Sequence, residues 1–321
     1  MKIVVSIPAL NEEAAIGKVV SAIPRDVADI VEIVVVDDGS TDNTSKIAKE
    51  NGANVVIKHR KNKGLGKTFR DGINQALKMG ADIIVTIDGD GQFNPNDIST
   101  LIKPIVDGEA DMVSCSRFKE KSLEPRMSSV KKFGNKFFAK MVSIILGKKY
   151  YDTQCGFRAY SRKAAMSLIL FGKYTYVQEV FIDLAKKGFV IKEIALKIRG
   201  ERAGGKSRLV KNVISYGIKA VMIIVRSVRD YQPFKFFGVP GLILVMSGLI
   251  SSLILFVRWL MISRVDPFLI VAYANVIAII VGTILIIFGL LADMIDRTRS
   301  IQEQILYKIK KKELEEMREK K

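Results

Sequence analysis

Asp82-Ile83-Ile84-Val85-Thr86-Ile87-Asp88-Gly89-Asp90-Gly91-Gln92 begins as a β-branched apolar run and ends in two carboxylates separated by one glycine. The apolar part predicts a strand, which places the acidic part at that strand's carboxyl end. In extended backbone residues i and i+2 point the same way, so Asp88 and Asp90 can meet one cation. Oxygen ligands at such a point suit Mg²⁺ or Mn²⁺ shared with substrate phosphates.

On either side of this run the pattern repeats. Residues 2–7, 31–36, 54–58 and 111–115 also predict strands, with helical stretches between them. Strand and helix alternating at this spacing predict an α/β domain with a parallel sheet covered on both faces, whose site lies at the carboxyl ends of the strands. The polar clusters fall there: Pro8-Ala9-Leu10-Asn11-Glu12-Glu13 after the first strand and Val36-Asp37-Asp38-Gly39-Ser40-Thr41-Asp42 after the second. Helix capping by Asn11 or Thr41 would account for one residue per loop, not for the whole set. Asn62-Lys63-Gly64-Leu65-Gly66-Lys67-Thr68 is neither a phosphate loop, because Lys61 stands where its first glycine belongs, nor a dinucleotide fingerprint, because the third glycine falls at Gly72. It predicts a glycine loop that lets backbone approach a ligand. His59, the sole histidine, is expected to be exposed after the third strand.

The carboxyl-terminal third is different. No residue is charged from Phe237 to Val257, nor from Pro267 to Ala292. Each run is long enough to cross a bilayer as a helix, and the short segment between them predicts a hairpin. Ten Lys or Arg stand against two acids in 197–235 and nine against five in 297–321, whereas the hairpin tip carries Arg258 and Arg264. The positive-inside rule then puts the globular part and the C-terminus on the cytoplasmic side of a multi-pass membrane protein. Residues 126–146 form a basic, aromatic pattern in which Phe133, Phe137, Phe138 and Met141 could share one face, as in a helix lying in a membrane interface. Residues 211–235 predict a juxtamembrane amphipathic helix, and 297–321 a charged helix whose Ile301, Ile305, Ile309 and Leu314 suit either a homo-oligomer contact or a solvated face. With two such spans, the net charge of +18 points to membrane lipids and phosphorylated substrates, not to nucleic acid. Cys115 and Cys155 show no ligand spacing and are expected to be free thiols.

The ordered set PALNEE, VVVDDGSTD, NKGLGK, DGDGQ, CSRF, DTQCGFRAYSR and RAGGKSRL closely resembles family 2 glycosyltransferases of the dolichol-phosphate mannose synthase and polyprenyl-phosphate glucosyltransferase type, over about residues 1–235. The resemblance implies a Rossmann-like (GT-A) catalytic domain with a mostly parallel sheet over 1–210 that binds a nucleotide-diphosphate sugar, UDP- or GDP-linked, and transfers a hexose with inversion to polyprenyl phosphate. By motif position it implies that Pro8, Leu10, Asn11, Glu12, Val36, Asp38 and Gly64 meet the donor, Leu10 standing where Tyr is frequent. Asp88, Gly89, Asp90 and Gln92 would hold metal and diphosphate. Arg117, Lys131, Arg202 and Arg208 would meet the acceptor phosphate, with Asp152 and Glu179 acidic positions near it; Asp90, Arg117, Asp152, Glu179 and Arg202 form the catalytic set. A processive polysaccharide synthase would carry Q-x-x-R-W where Gln178 leads into Glu179-Val180-Phe181. The intact Asp88, Asp90 and Arg202 count against a non-catalytic scaffold that binds nucleotide sugar.

Overall fold

The computed structural model describes residues 1–125, 127–169, 176–199, 225, 229, 232–264 and 266–319. They divide into two units, Met1–Val213 with Leu306–Lys321, and Ile214–Ile305.

In the first unit β1 (Lys2–Ala9) pairs in parallel with β2 (Ile30–Asp37) on one side and β4 (Ile83–Thr86) on the other, and β3 (Val55–Lys58) adds outside β2. Beyond β4 the mostly parallel sheet becomes mixed. β6 (Arg158–Ser161) lies antiparallel between β4 and β5 (Met112–Ser116), and β7 (Ile191–Ala195) runs parallel to β5 at the far edge. The order is β3-β2-β1-β4-β6-β5-β7. Neither β6 nor β7 shows in the sequence pattern. β6 is four residues, Arg-Ala-Tyr-Ser, and carries a buried arginine that hydropathy assigns to solvent.

Side chains alternate across the sheet. Ile3, Val5 and Ile7 join one core layer with α1 (Ile16–Ser21), α2 (Thr44–Glu50) and α4 (Ile98–Val106). Val4, Val34 and Val36 join the other, with α3 (Leu65–Lys78), α5 (Ser129–Leu146), α6 (Arg162–Ser167) and α7 (Val177–Lys186). Both faces are covered, so the strands read as near-continuous apolar runs. On α5 the expected aromatic face is divided: Phe133 is 74% exposed and Phe137 39%, while Phe138 is buried.

In the second unit α8 (Pro233–Ile262) runs past both ends of the expected 237–257 span, since the helical backbone ladder does not stop where hydropathy does. The expected 267–292 span and the 297–321 helix are one uninterrupted α9 (Leu269–Glu319), because no Gly or Pro breaks the chain between them. Both helices are long and apolar enough to cross a membrane. They touch through glycine: a Cβ on Gly241 would lie 2.6 Å from the Gly282 carbonyl oxygen, and the reverse holds at the same distance. Only a residue without a side chain permits that approach. The last turns of α9, from Leu306, belong to the first unit, where Leu314 is 6% exposed and joins the core layer of α3.

Candidate active site

The carboxyl ends of β1, β2, β4 and β5 bring the polar clusters to one edge of the sheet. Pro8 and Val36 are buried there, with Leu10, Asn11 and Glu12 half-buried beside them. Neither Asn11 nor Thr41 caps a helix; α1 and α2 start at Ala15 and Asn43 without a side-chain cap bond. Instead Asn11, at φ +50°, accepts the Thr41 N–H at 2.8 Å through its side-chain oxygen, and its own N–H donates to Ser40 Oγ at 2.8 Å. The Glu12 N–H donates to Thr44 Oγ1 at 2.9 Å. The two loops are therefore tied side chain to backbone, which sets the gap between them.

Asp38 is buried, and its carboxylate is engaged. Oδ1 accepts the Lys63 N–H at 2.8 Å and Oδ2 the Gly64 N–H at 2.9 Å, so the glycine loop hangs from Asp38. The expected exposure of His59 is corrected: it is 5% exposed, with Nδ1 2.7 Å from Asp38 Oδ1 and Nε2 3.0 Å from Asp71 Oδ2. Sequence position hid this, because the two acids that enclose the ring come from a loop and a helix distant in the chain.

At the end of β4, Asp88 is half-buried and Asp90 is 3% exposed. Asp90 Oδ1 accepts the Gln92 N–H at 3.0 Å, closing an acidic turn. Opposite lies Gly156, where an added Cβ would sit 2.8 Å from both Asp88 oxygens. Among the described residues no cluster of three or more His, Cys, Asp or Glu side chains forms. A cation here would have two carboxylates and an amide from the protein, leaving positions for phosphate oxygens and water, which fits Mg²⁺ or Mn²⁺. Gln92 also anchors the next segment: its carbonyl accepts the Arg199 N–H at 3.0 Å, and its Nε2 donates to the Arg199 carbonyl at 3.4 Å.

Arg117, just past β5, is held by Asp152. Nε and Nη2 donate to Asp152 Oδ2 and Oδ1 at 2.6 and 2.9 Å, and the Arg117 N–H adds a third bond at 3.0 Å. Asp152 Oδ1 also accepts the Gln154 N–H at 3.0 Å. Burial opposes the charge on Arg117, but Asp152 outweighs it and holds the guanidinium pKa above its ordinary value. Asp152 is wholly buried and bonded on both oxygens, so in this geometry it orients Arg117.

Sequence reasoning missed Glu193 on β7, whose carboxylate accepts the Tyr151 and Asp152 N–H groups at 2.8 and 2.7 Å. Burial pushes this carboxyl up. Nothing in the Ile191-Lys192-Glu193-Ile194-Ala195 pattern marked Glu193 as inward-facing. Arg158 was also missed: fully buried, it donates from Nη2 to the Thr153 carbonyl at 3.0 Å and lies 4.8 Å from the Phe181 ring centre, as a cation over an aromatic face.

Glu179 is half-buried in the first turn of α7, and Lys131 is exposed in the first turn of α5. Cys115 and Cys155 are free and buried, as expected of packed thiols. Arg202, Arg208 and most of the expected 211–235 helix lie outside the described residues.

The family model described as Glycosyl transferase family 2 matches residues 4–169, just over half of the chain. A UDP-N-acetylglucosamine–dolichyl-phosphate N-acetylglucosaminyltransferase from Methanococcus voltae is 36% identical over 211 residues, 60% of this chain and 83% of that one. A dolichyl-phosphate hexose transferase from Haloferax volcanii is 32% identical over 195 residues, 60% of this chain and 81% of that one. Among solved structures, glucosyl-3-phosphoglycerate synthase from Mycobacterium tuberculosis, crystallised with Mn²⁺, UDP and glucosyl-3-phosphoglycerate, aligns with a TM-score of 0.55 at 23% identity, covering 72% of this chain and 79% of that one. That likeness shows the fold, a GT-A-like domain with a mostly parallel mixed sheet. With the acidic turn, the tied loops and the oriented arginine at one sheet edge, the match places the chain in glycosyl transferase family 2 as a glycosyltransferase.

Proposed function

We propose that this glycosyltransferase moves a hexose from a UDP- or GDP-linked donor onto a polyprenyl phosphate, with inversion and with Mg²⁺ or Mn²⁺, at the cytoplasmic face of a membrane that α8 and α9 cross. The observation that carries the proposal is the segment from Asp152 to Gly156. At one end it fixes the Arg117 guanidinium, and at the other it faces the Asp88 carboxylate. A site for a leaving diphosphate and a cationic site for an incoming phosphate are thus four residues apart along one segment. The names of the two relatives, both transferases acting on dolichyl phosphate, support the acceptor.

Pro8, Leu10, Val36 and Asp38 would bound the base and ribose, with Asn11, Glu12 and Gly64 shaping the loops around them. Asp88, Asp90 and Gln92 would hold the cation and diphosphate, with Gly89 and Gly91 in the turn. When bound, the cation supplies charge to offset what develops on the leaving diphosphate. A phosphate monoester has its second pKa near about 6 and is largely dianionic at neutral pH, so the acceptor needs no dedicated base. What it needs is placement near the anomeric carbon. Arg117, oriented by Asp152, would supply it together with Lys131, Arg202 and Arg208, with Glu179 nearby. Exposed Phe133 and Phe137 on α5 suit apolar contact at headgroup depth.

The test is to supply the purified full chain with labelled nucleotide sugars and polyprenyl phosphate and to identify the lipid product. Asp90→Ala should abolish transfer in a protein that still folds. Arg202→Ala should reduce it by at least ~100-fold, the loss of a charge-assisted transition-state contact. If a simple sugar alcohol is the better acceptor and Arg202→Ala leaves that reaction untouched, the lipid-phosphate assignment is wrong.

A further inference from the structure

His59 stands at the edge of the donor loops with a connectivity that no motif assigns. Its backbone N–H donates to the Asp37 carbonyl at 2.9 Å, one residue beyond the last rung of β3. Its ring, 4% exposed, bridges Asp38 at the end of β2 and Asp71 on α3. Asp38 Oδ1 takes both His59 Nδ1 and the Lys63 N–H, while Oδ2 takes the Gly64 N–H. On the far side Asp71 Oδ1 accepts Lys67 Nζ at 2.7 Å. Both ring nitrogens thus face carboxylate oxygens, Nδ1 at 2.7 Å and Nε2 at 3.0 Å. The loop hung from Asp38 borders an open cleft of about 580 Å³ whose lining includes Lys58, Arg60, Lys61 and Lys63 beside His59. Four cations around one cleft suit an anionic ligand.

We infer that His59 is a positioning residue for the nucleoside diphosphate: by clamping Asp38 against α3 it fixes the carboxylate's direction and the height of the Lys63–Gly64 backbone beside the donor. The inference rests on the donor-site reading of Asp38. A ring that served only packing would be replaceable by any side chain that fills its volume. A clamp is replaceable only by a donor reaching Asp38, and the two carboxamides separate these cases. His59→Asn puts an amide nitrogen near the Nδ1 position and keeps the Asp38 bond; His59→Gln reaches the Nε2 position, meeting Asp71 and leaving Asp38 without its ring donor.

The experiment measures UDP and GDP binding with Mg²⁺ by calorimetry on the full chain in lipid nanodiscs, and donor KM and kcat for any turnover. His59→Gln should weaken binding of the preferred diphosphate about tenfold or more, while His59→Asn stays within about threefold, because one bond to a charged acceptor separates them. The loss should appear in donor KM, with kcat at saturating donor unchanged. His59 is the sole histidine, so its ring ¹⁵N signals in the wild-type protein are unambiguous and should shift when the diphosphate is added. Wild-type binding by both folded variants, equal losses in both with a lowered melting temperature, or ring signals indifferent to diphosphate would each overturn the inference. If the histidine variants do not fold, Asp71→Asn should move the ring signals and donor KM together, and no movement of KM overturns the inference. Wild-type affinity in Asp38→Asn would instead remove the donor-site reading beneath it.

Discussion

Replacing Gly156 with alanine sets a methyl group against the acidic turn. The new Cβ would lie 2.8 Å from both Asp88 carboxylate oxygens and 3.0 Å from Cγ. Ordinary contact begins at 3.4 Å, so the carboxylate must retreat by about 0.6 Å, the difference between 3.4 and 2.8 Å. The obstacle is the end of a short, half-buried side chain. Turning it away leaves the backbone in place, and the fold should lose less than ~1 kcal/mol. The cation site, by contrast, loses its geometry. A misplacement of about 1 Å near a reacting centre costs on the order of 100-fold, so transfer should fall between about 10- and 100-fold, with a higher cation concentration needed for half-maximal rate. Initial rates over a Mn²⁺ titration, with melting curves in the same detergent, measure both effects. Wild-type rate and cation requirement at an unchanged melting temperature would refute the placement of Asp88 in the cation site, and a collapse of the melting temperature would show that Gly156 serves the fold.

Asp152→Asn leaves Arg117 with a neutral partner and should cost roughly 2–3 kcal/mol of stability, below the range for breaking a fully buried pair because an oxygen acceptor remains. Its pH–rate profile should keep its shape at reduced amplitude; loss of one limb would mean that Asp152 itself moves a proton. Phe133→Ser combined with Phe137→Ser should raise the KM for long polyprenyl phosphate and spare a short soluble analogue, and equal effects on both acceptors would exclude a membrane-depth role for α5. Leu314→Ala should destabilise the first unit by about 2 kcal/mol, the low end for a buried leucine, because a cleft of about 440 Å³ already adjoins it. Chemical denaturation measures that cost, and no change would mean that the end of α9 is not part of the folded unit. Truncation after Gln232 also removes Leu314, so it should lower stability while leaving nucleotide binding intact.

The parts of this protein legible in one dimension are those whose information is local. Five strands, the acidic turn after β4 and the two apolar spans follow from the pairing of each short pattern with one kind of backbone or solvent. Asp88 and Asp90 could be named because two residues on one strand end need no distant partner to lie side by side. β6 and β7 were not legible, since Arg-Ala-Tyr-Ser and Ile-Lys-Glu-Ile-Ala hold no β-branched apolar run and gain their stability from the strands they pair with, and Arg158 sits in a core that hydropathy assigns to apolar residues. The same reason separates Asp152 as an acid from Asp152 as the orienting partner of Arg117, and hides Glu193 behind it, because those bonds join segments 35 and 41 residues apart. His59 is the sharpest case. One isolated histidine carries no periodic signal, and its burial follows from Asp38 and Asp71 converging on it when β2, β3 and α3 pack together.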